Sequence, residues 1–265
     1  MSAEPKAEAR IDGRKDGAIG WLIFDNPGRR NAVSIGMWEA IPRVLDEFAA
    51  DSAIRVVVLA GAGDKAFVSG ADISQFEGQR STPEAVQRYE EIGDTAQARL
   101  QNFDKPTIAM IRGYCIGGGL GIATACDLRI AAEDARFSIP AAKLGLGYRA
   151  SSMKKLVDIV GAAYAKEIMI TARQFSAAEA KEMGLVHRVA PVPQLEALTR
   201  EYCEAIAANA PLTMRAAKRI IREVVKTDHD AALCEHLVKE CFDSADYKEG
   251  RRAFMEKRKP VFTGR

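Results

Sequence analysis

The chain has little histidine, three residues in 265, and its five cysteines form no Cys-x-x-Cys pair. That scarcity removes the usual donor sets of a zinc centre, and no metal is expected. The cysteines (Cys115, Cys126, Cys203, Cys234, Cys241) are odd in number and widely spaced, so they read as reduced, buried thiols of a cytosolic protein. No apolar run reaches the ~18 residues that a spanning helix needs. Met1 to Lys15 is charged and lacks the apolar stretch of a secretory signal, so the expected location is the cytoplasm. A charge surplus is also missing: 38 Lys+Arg against 36 Asp+Glu gives +2. A nucleic-acid binder shows a clustered basic excess, so neither nucleic acid nor membrane is an expected partner. Low-complexity tracts and fixed-period repeats are absent too.

What is present is an ordinary globular composition, 48% hydrophobic and 28% charged. At this length a compact chain buries about three-quarters of its unfolded surface. Ala18 to Asp25 reads as a buried strand, with Ala7 to Ile11 pairing to it across Arg14 to Gly17. Ser34 caps a helix with the apolar face Met37, Ile41, Val44, Leu45 and Phe48, and Pro42 inside it predicts a kink. Ile54 to Leu59, Thr107 to Ile111 and Leu128 to Ala131 are continuous apolar runs, the mark of strands buried on both faces. Helical stretches alternate with them: Pro83 to Asn102, Gly118 to Ala125, Met153 to Val160 and Ala162 to Ile170. Alternation of this kind predicts an α/β fold with βαβ units and a largely parallel sheet. Past about residue 190 only helical patterns follow. The expected division is therefore an α/β core over residues 1–191 and a C-terminal helical region over 192–265, outside the central sheet.

Three segments concentrate small or unusual residues at the ends of strands. They are Ala66 to Ile73 (AFVSGADI), Gly113 to Gly121 (GYCIGGGLG) and Phe137 to Arg149 (FSIPAAKLGLGYR). Small residues let backbone approach a ligand and leave N–H groups free to donate. One N–H from each of the first two segments, with a helix N-terminus behind it, would make an oxyanion hole. The second segment is no dinucleotide fingerprint, since no Gly-x-Gly-x-x-Gly sits on the first βα turn, and it has no Walker Lys-Ser/Thr.

In order and spacing these segments closely resemble the crotonase superfamily, the enoyl-CoA hydratases and isomerases. The loop Asn26 to Ala32, the stretch Thr171 to Val186 and Phe254 to Pro260 resemble further signatures of that family. The resemblance runs nearly the whole chain. It implies a crotonase-like ββα spiral core that binds an acyl-CoA thioester, with a homotrimer or hexamer as the assembly. The thioester oxygen would sit between the N–H groups of Ala71 and Gly118 as an enolate forms. Coenzyme A, part of the substrate rather than a cofactor, would run past Arg29, Arg30, Ser69, Asp72 and Ile73. Lys257, of the same or a neighbouring subunit, would meet its phosphates.

The sequence departs from the family's pattern at two places. A hydratase of this family uses two glutamates as acid and base, and the matching positions here hold Gly121 and Ala141. Neither side chain can move a proton. A later carboxylate position of the isomerases holds Arg149. What remains near the expected thioester is Lys143, Tyr148, Arg149, Ser151 and Ser152. Tyr148, in Leu144-Gly145-Leu146-Gly147-Tyr148, resembles the tyrosine loop of the superfamily's methylmalonyl-CoA decarboxylases. Decarboxylation needs no base, because loss of the carboxylate itself generates the enolate. Acidic residues between Glu77 and Asp94, namely Glu84, Glu90 and Glu91, are a second place to seek the lost function. The alternative to an enzyme is a non-catalytic acyl-CoA binder. His187, His229, His236 and Asp127 read as structural or surface residues.

Overall fold

The computed structural model describes residues 9–72 and 82–265. Among the described residues, ten strands form two sheets. β1 (Arg10–Asp16), β2 (Ile19–Asp25), β3 (Val56–Gly61), β5 (Thr107–Ile111), β7 (Leu128–Ala132) and β10 (Arg188–Ala190) make a six-stranded sheet in the order β1-β2-β3-β5-β7-β10. Within this sheet only the β1/β2 pair is antiparallel among the described residues. β4 (Ala66–Val68), β6 (Tyr114–Ile116), β8 (Arg136–Ser138) and β9 (Phe175–Ser176) make a four-stranded sheet in that order.

The large sheet holds all four strands expected from the apolar runs. The small sheet was not foreseen, because strands of two or three residues carry no readable periodicity. The N-terminal hairpin is also longer than expected. β1 pairs Arg10↔Asp25 through Asp16↔Ile19, so the turn is the tight link Gly17-Ala18, with Gly17 at φ 57°. The Gly-ended segment Arg14 to Gly17, read as a turn, is mostly strand.

From Val56 to Thr171 the described chain makes three turns of one spiral. β3, β4 and α2 (Pro83–Gln101) form the first turn. β5, β6 and α3 (Gly118–Ala125) form the second. β7 and β8 are followed by the short α4 (Ala141–Leu144) and α5 (Ala150–Thr171). Within α5, Gly161 (φ 73°, ψ 164°) leaves the helical region, which explains why the sequence reads as two helices on either side of it. The N-terminal helix α1 (Ile35–Ala50) runs across Pro42 as one element, capped by Ser34, whose Oγ accepts from the Met37 N–H.

The double burial of the large sheet follows from the two-residue period of strands. Val57 and Leu59 face the main core, with Phe24, Phe48 and Phe67. Val56, Val58 and Ala60 face the other way, onto α7 (Leu195–Ala207) through Leu195 and Cys203. Thus the first C-terminal helix covers the outer face of the central sheet rather than standing apart from it. α6 (Ala177–Glu182) precedes β10. After β10 the described chain is helical, through α7, α8 (Pro211–Val224), α9 (Ala231–Asp243) and α10 (Ala245–Met255).

Candidate active site

The site is made where β4 and β6 end side by side. β4 runs into Ser69-Gly70-Ala71-Asp72, and β6 into Gly117 and the first turn of α3. The packing there is close: a Cβ on Gly119 would lie 2.1 Å from the Val68 carbonyl oxygen. A Cβ on Gly118 would lie 3.9 Å from the Ala71 nitrogen, so the two loops nearly touch.

Both loops turn on a glycine in the left-handed half of φ space, Gly70 at 114° and Gly117 at 54°. The carbonyl of Gly70 accepts from the Val33 N–H (2.8 Å), and that of Gly117 from the Gly121 N–H (3.0 Å). In a trans peptide the N–H points opposite to the C=O. The N–H groups of Ala71 and Gly118 are therefore turned away from those partners. Among the described residues neither donates to a protein acceptor. The Gly118 N–H also opens α3, where unpaired N–H groups carry partial positive charge.

Both residues line a cleft of about 260 Å³. Its walls are mainly apolar, from Trp38, Ile116, Leu120, Ile139 and Leu156. The Trp38 indole N–H is turned aside to the Tyr89 hydroxyl (3.1 Å). Gly121 and Ala141, the positions where the resemblance implies glutamates in other members, line the same cleft. A side chain at 121 would find the space occupied, since its Cβ would lie 3.0 Å from Gln97 Oε1.

The polar groups of the cleft come mostly from α2 and α5. Glu90 and Asp94, one turn apart on α2, share one guanidinium: Arg149 Nη2 donates to Glu90 (2.6 Å) and Nη1 to Asp94 (2.9 Å). Gln97 follows on the same face and accepts from Lys155 Nζ at 3.0 Å. Tyr148 also lines the cleft, and burial pushes its phenol above the usual value, so it stays a neutral donor at neutral pH. Ser152 lines the wall too. Lys143, Ser151, Glu84 and Glu91 do not, which leaves Glu90 as the one of the three acidic candidates that the cleft includes.

The expected binding residues divide. Ser69 lines the cleft and ties its loop to the first loop, N–H to Arg30 O (3.1 Å) and Oγ to Arg29 O (3.2 Å). Arg29 Nη1 pairs with Asp72 Oδ1 at 2.7 Å beside that junction. Arg30, at φ 51°, turns elsewhere: its guanidinium lies 5.0 Å over the Tyr114 ring and lines a second cavity with Lys65 and Arg136. Lys257 is exposed just past α10, at φ 53°, and takes no part in the cleft of its own chain. Ile73 lies outside the described residues, as does the stretch from Glu77 to Arg80.

Asp127 is structural, as read: it accepts from the Thr107 N–H and from Lys218 Nζ (2.6 Å). His187 Nδ1 accepts from the Arg129 N–H (3.1 Å), and burial lowers its pKa. Among the described residues no group of three His, Cys, Asp or Glu side chains could hold a metal ion, and no helix is long and apolar enough to cross a membrane. Reading the sequence missed Trp38, Asp94, Gln97 and Lys155. The spacing 90, 94, 97 is one helix face, a signal that could have joined the first three polar positions.

A ββα spiral with a thin second sheet, opening on paired glycine-bent loops, is a crotonase-type architecture. The crystal structure of an enoyl-CoA hydratase/carnithine racemase from Magnetospirillum magneticum matches it with a TM-score of 0.91 at 35% identity, over 96% of both chains. A putative enoyl-CoA hydratase/isomerase family protein from Hyphomonas neptunium matches at 0.92 and 36%, over 96% of this chain and 98% of that one. A short-chain-enoyl-CoA hydratase of Clostridium acetobutylicum is 34% identical over 92% of this chain and 94% of its own length. The sequence model of the enoyl-CoA hydratase/isomerase family covers residues 14–265. The chain belongs to that enzyme family.

Proposed function

We propose that the protein is an acyl-CoA-thioester enzyme that stabilises a thioester enolate without the family's glutamate pair. What supports this reading is that Ala71 and Gly118, whose N–H groups have no protein acceptor among the described residues, both line one mainly apolar cleft. Such donors favour charge that develops on an oxygen between them, by about 3–4 kcal/mol per donor in related acyl-transfer sites. The relatives named as hydratases support the substrate class. Coenzyme A would run past Ser69, Arg29 and Asp72. Lys257 and Arg30 would reach coenzyme A phosphates only at the periphery, Lys257 from a neighbouring subunit. No separate cofactor is required, since enolate stabilisation uses backbone dipoles alone.

Ordinary hydration is disfavoured, because Gly121 and Ala141 face the cleft where a proton must be taken and given. A second reading, decarboxylation of a methylmalonyl-CoA-type substrate, is favoured by Tyr148, a half-buried neutral phenol in the cleft that would orient a carboxylate. Incubating the protein with a panel of acyl-CoA thioesters and following product masses separates hydration, decarboxylation and hydrolysis. Turnover of at least one thioester is expected, with Tyr148→Phe lowering any decarboxylation. Tight binding with no turnover of any thioester would replace the enzyme by a non-catalytic acyl-CoA binder.

A further inference from the structure

One buried cation is joined to carbonyls rather than to a carboxylate. Arg129, on β7, is 5% exposed. Its guanidinium donates to Leu185 O (2.7 Å), Cys126 O (2.7 Å) and Ala123 O (3.3 Å). Asp127 favours the charge from a distance, but its Oδ2 accepts from Thr107 and from Lys218. The other titratable groups around Arg129 are neutral at pH 7. Burial holds the Cys115 and Cys126 thiols protonated, and it lowers the pKa of His187, whose Nδ1 accepts from the Arg129 N–H. A buried guanidinium is tolerated only where it is hydrogen-bonded, so these three carbonyls matter to it and it to them.

Two of the three belong to the end of α3. Ala123 lies in its last turn and Cys126 is its C-cap, while Gly118 is its first residue. The final carbonyls of a helix have no partner within it and carry partial negative charge, which a cation complements. The third carbonyl, Leu185 O, lies between α6 and β10, and the His187 N–H there donates back to Arg129 O at 2.8 Å. Arg129 thus ties the end of α3 to β7 and to the chain entering β10. Three of the eight residues of α3 are glycine, a poor helix former, so what holds this helix straight and in place comes from outside it. At eight residues it is only ~12 Å long, and a tilt at its C-terminal end is felt at its first N–H.

Resting on the enolate reading above, we propose that Arg129 is a positioning residue for the oxyanion site: by gripping the C-terminal carbonyls of α3 it fixes the direction in which the Gly118 N–H meets the cleft. Its charge, behind the same helix axis, also raises the positive potential at the helix N-terminus. Arg129 does not line the cleft and has no contact with a ligand there. Its removal therefore acts on the preference for an enolate over a neutral thioester and spares the binding of the thioester itself.

The probe is acetoacetyl-CoA, whose enolate absorbs in the near ultraviolet, so a pH titration of the bound ligand reads how strongly the site favours the enolate. Calorimetry with butyryl-CoA, which does not ionise, reads binding alone and shows that each variant is folded. Wild-type protein should lower the pKa of the bound ligand below that of the free one. Arg129→Met should leave about tenfold less enolate at a given pH than the wild type, with butyryl-CoA affinity held within about threefold. Arg129→Lys keeps the charge but cannot reach all three carbonyls, and should fall between the two; it carries the test if Arg129→Met does not fold. Lys218→Met removes another buried cation, one bonded to Asp127 and Lys105 O rather than to α3, and should cost stability without changing the enolate fraction. An unchanged enolate fraction in the Arg129 variants, an equal loss in Lys218→Met, or a parallel loss of butyryl-CoA affinity would overturn the inference and leave the enolate reading in place. A wild type that binds acetoacetyl-CoA without favouring its enolate, or binds no thioester, would remove that reading and this inference with it.

Discussion

At the scale of single residues, the site depends on side chains that are missing. Gly119 lets α3 sit against β4, and a Cβ there would lie 2.1 Å from the Val68 carbonyl oxygen. Backbone cannot yield as a flexible side chain can, so Gly119→Ala should cost about 1–3 kcal/mol of stability, checked by urea unfolding. At Gly121 the obstacle is different, the movable end of Gln97. Introducing a carboxylate pair with Gly121→Glu and Ala141→Glu meets only the movable Gln97 at position 121, and Gln97→Ala would relieve that contact. Wild-type protein should hydrate crotonyl-CoA at least about a thousandfold more slowly than a two-glutamate relative, since each well-placed acid or base contributes roughly 10²- to 10⁴-fold. The variant with the pair should gain part of that rate in a spectrophotometric hydration assay. Full turnover by the wild type would point instead to Glu90, the acidic candidate that lines the cleft.

Among the elements, the short α6 is the clearest case of local sequence dictating local structure. Ser176 and Glu179 form a reciprocal capping box, the Ser Oγ accepting from the Glu179 N–H and the Glu carboxylate accepting from the Ser176 N–H at 2.8 Å. That backbone bond first, then Arg173 at 2.7 Å and the Ser176 hydroxyl, hold the Glu179 carboxyl down to about 2, from an ordinary value of 4.5. A carboxyl depressed on folding stabilises above its unfolded pKa and loses that contribution as protons bind the folded state. The contribution of Glu179 should thus be complete above about pH 4.5 and vanish toward pH 2. It is small, because the pair is exposed. Glu179→Gln keeps the cap's shape and should flatten the acid limb of thermal stability across that window by slightly lowering the plateau above about pH 4.5, with the two proteins converging toward pH 2. An acid limb as steep as that of the wild type would mean other carboxylates set it.

For the molecule as a whole, the C-terminal helices leave apolar side chains in water. Phe254 and Met255 are 82% and 81% exposed, and Val261 is 72% exposed. Phe242 on α9 is exposed as well, and large apolar side chains left in water at this end of the chain suit a covering partner. A homotrimer or a dimer of trimers is the expected assembly, and light scattering at micromolar concentration should find it. Phe254→Asp with Met255→Asp should shift it toward monomer. A monomeric wild type would end both this expectation and the proposed reach of Lys257 into a neighbouring site.

The sequence alone determined the central sheet, because Ile54 to Leu59 and its counterparts are apolar on both faces and no other element buries both sides of so short a run. It also determined most helices, down to the break at Gly161, and it marked the loops at Ala71 and Gly118 by their glycines. The pairing of the Ala71 and Gly118 N–H groups is an expectation that rests on the resemblance to the crotonase superfamily. What only the tertiary structure decided is how side chains distant in sequence meet. The small sheet exists because strands of two or three residues are stabilised by neighbours rather than by their own pattern. Gln97 and Lys155 stand 58 positions apart, and their pairing beside Gly121 follows from α2 and α5 packing over α3. Arg30 leaves the cleft for Tyr114 because its backbone turns left-handed in a loop pinned by Asn31, whose amide donates to Ala62 O and Ala66 O. Motif spacing specifies backbone geometry, which is local; the charge balance of a cavity is a sum over elements that only packing brings together.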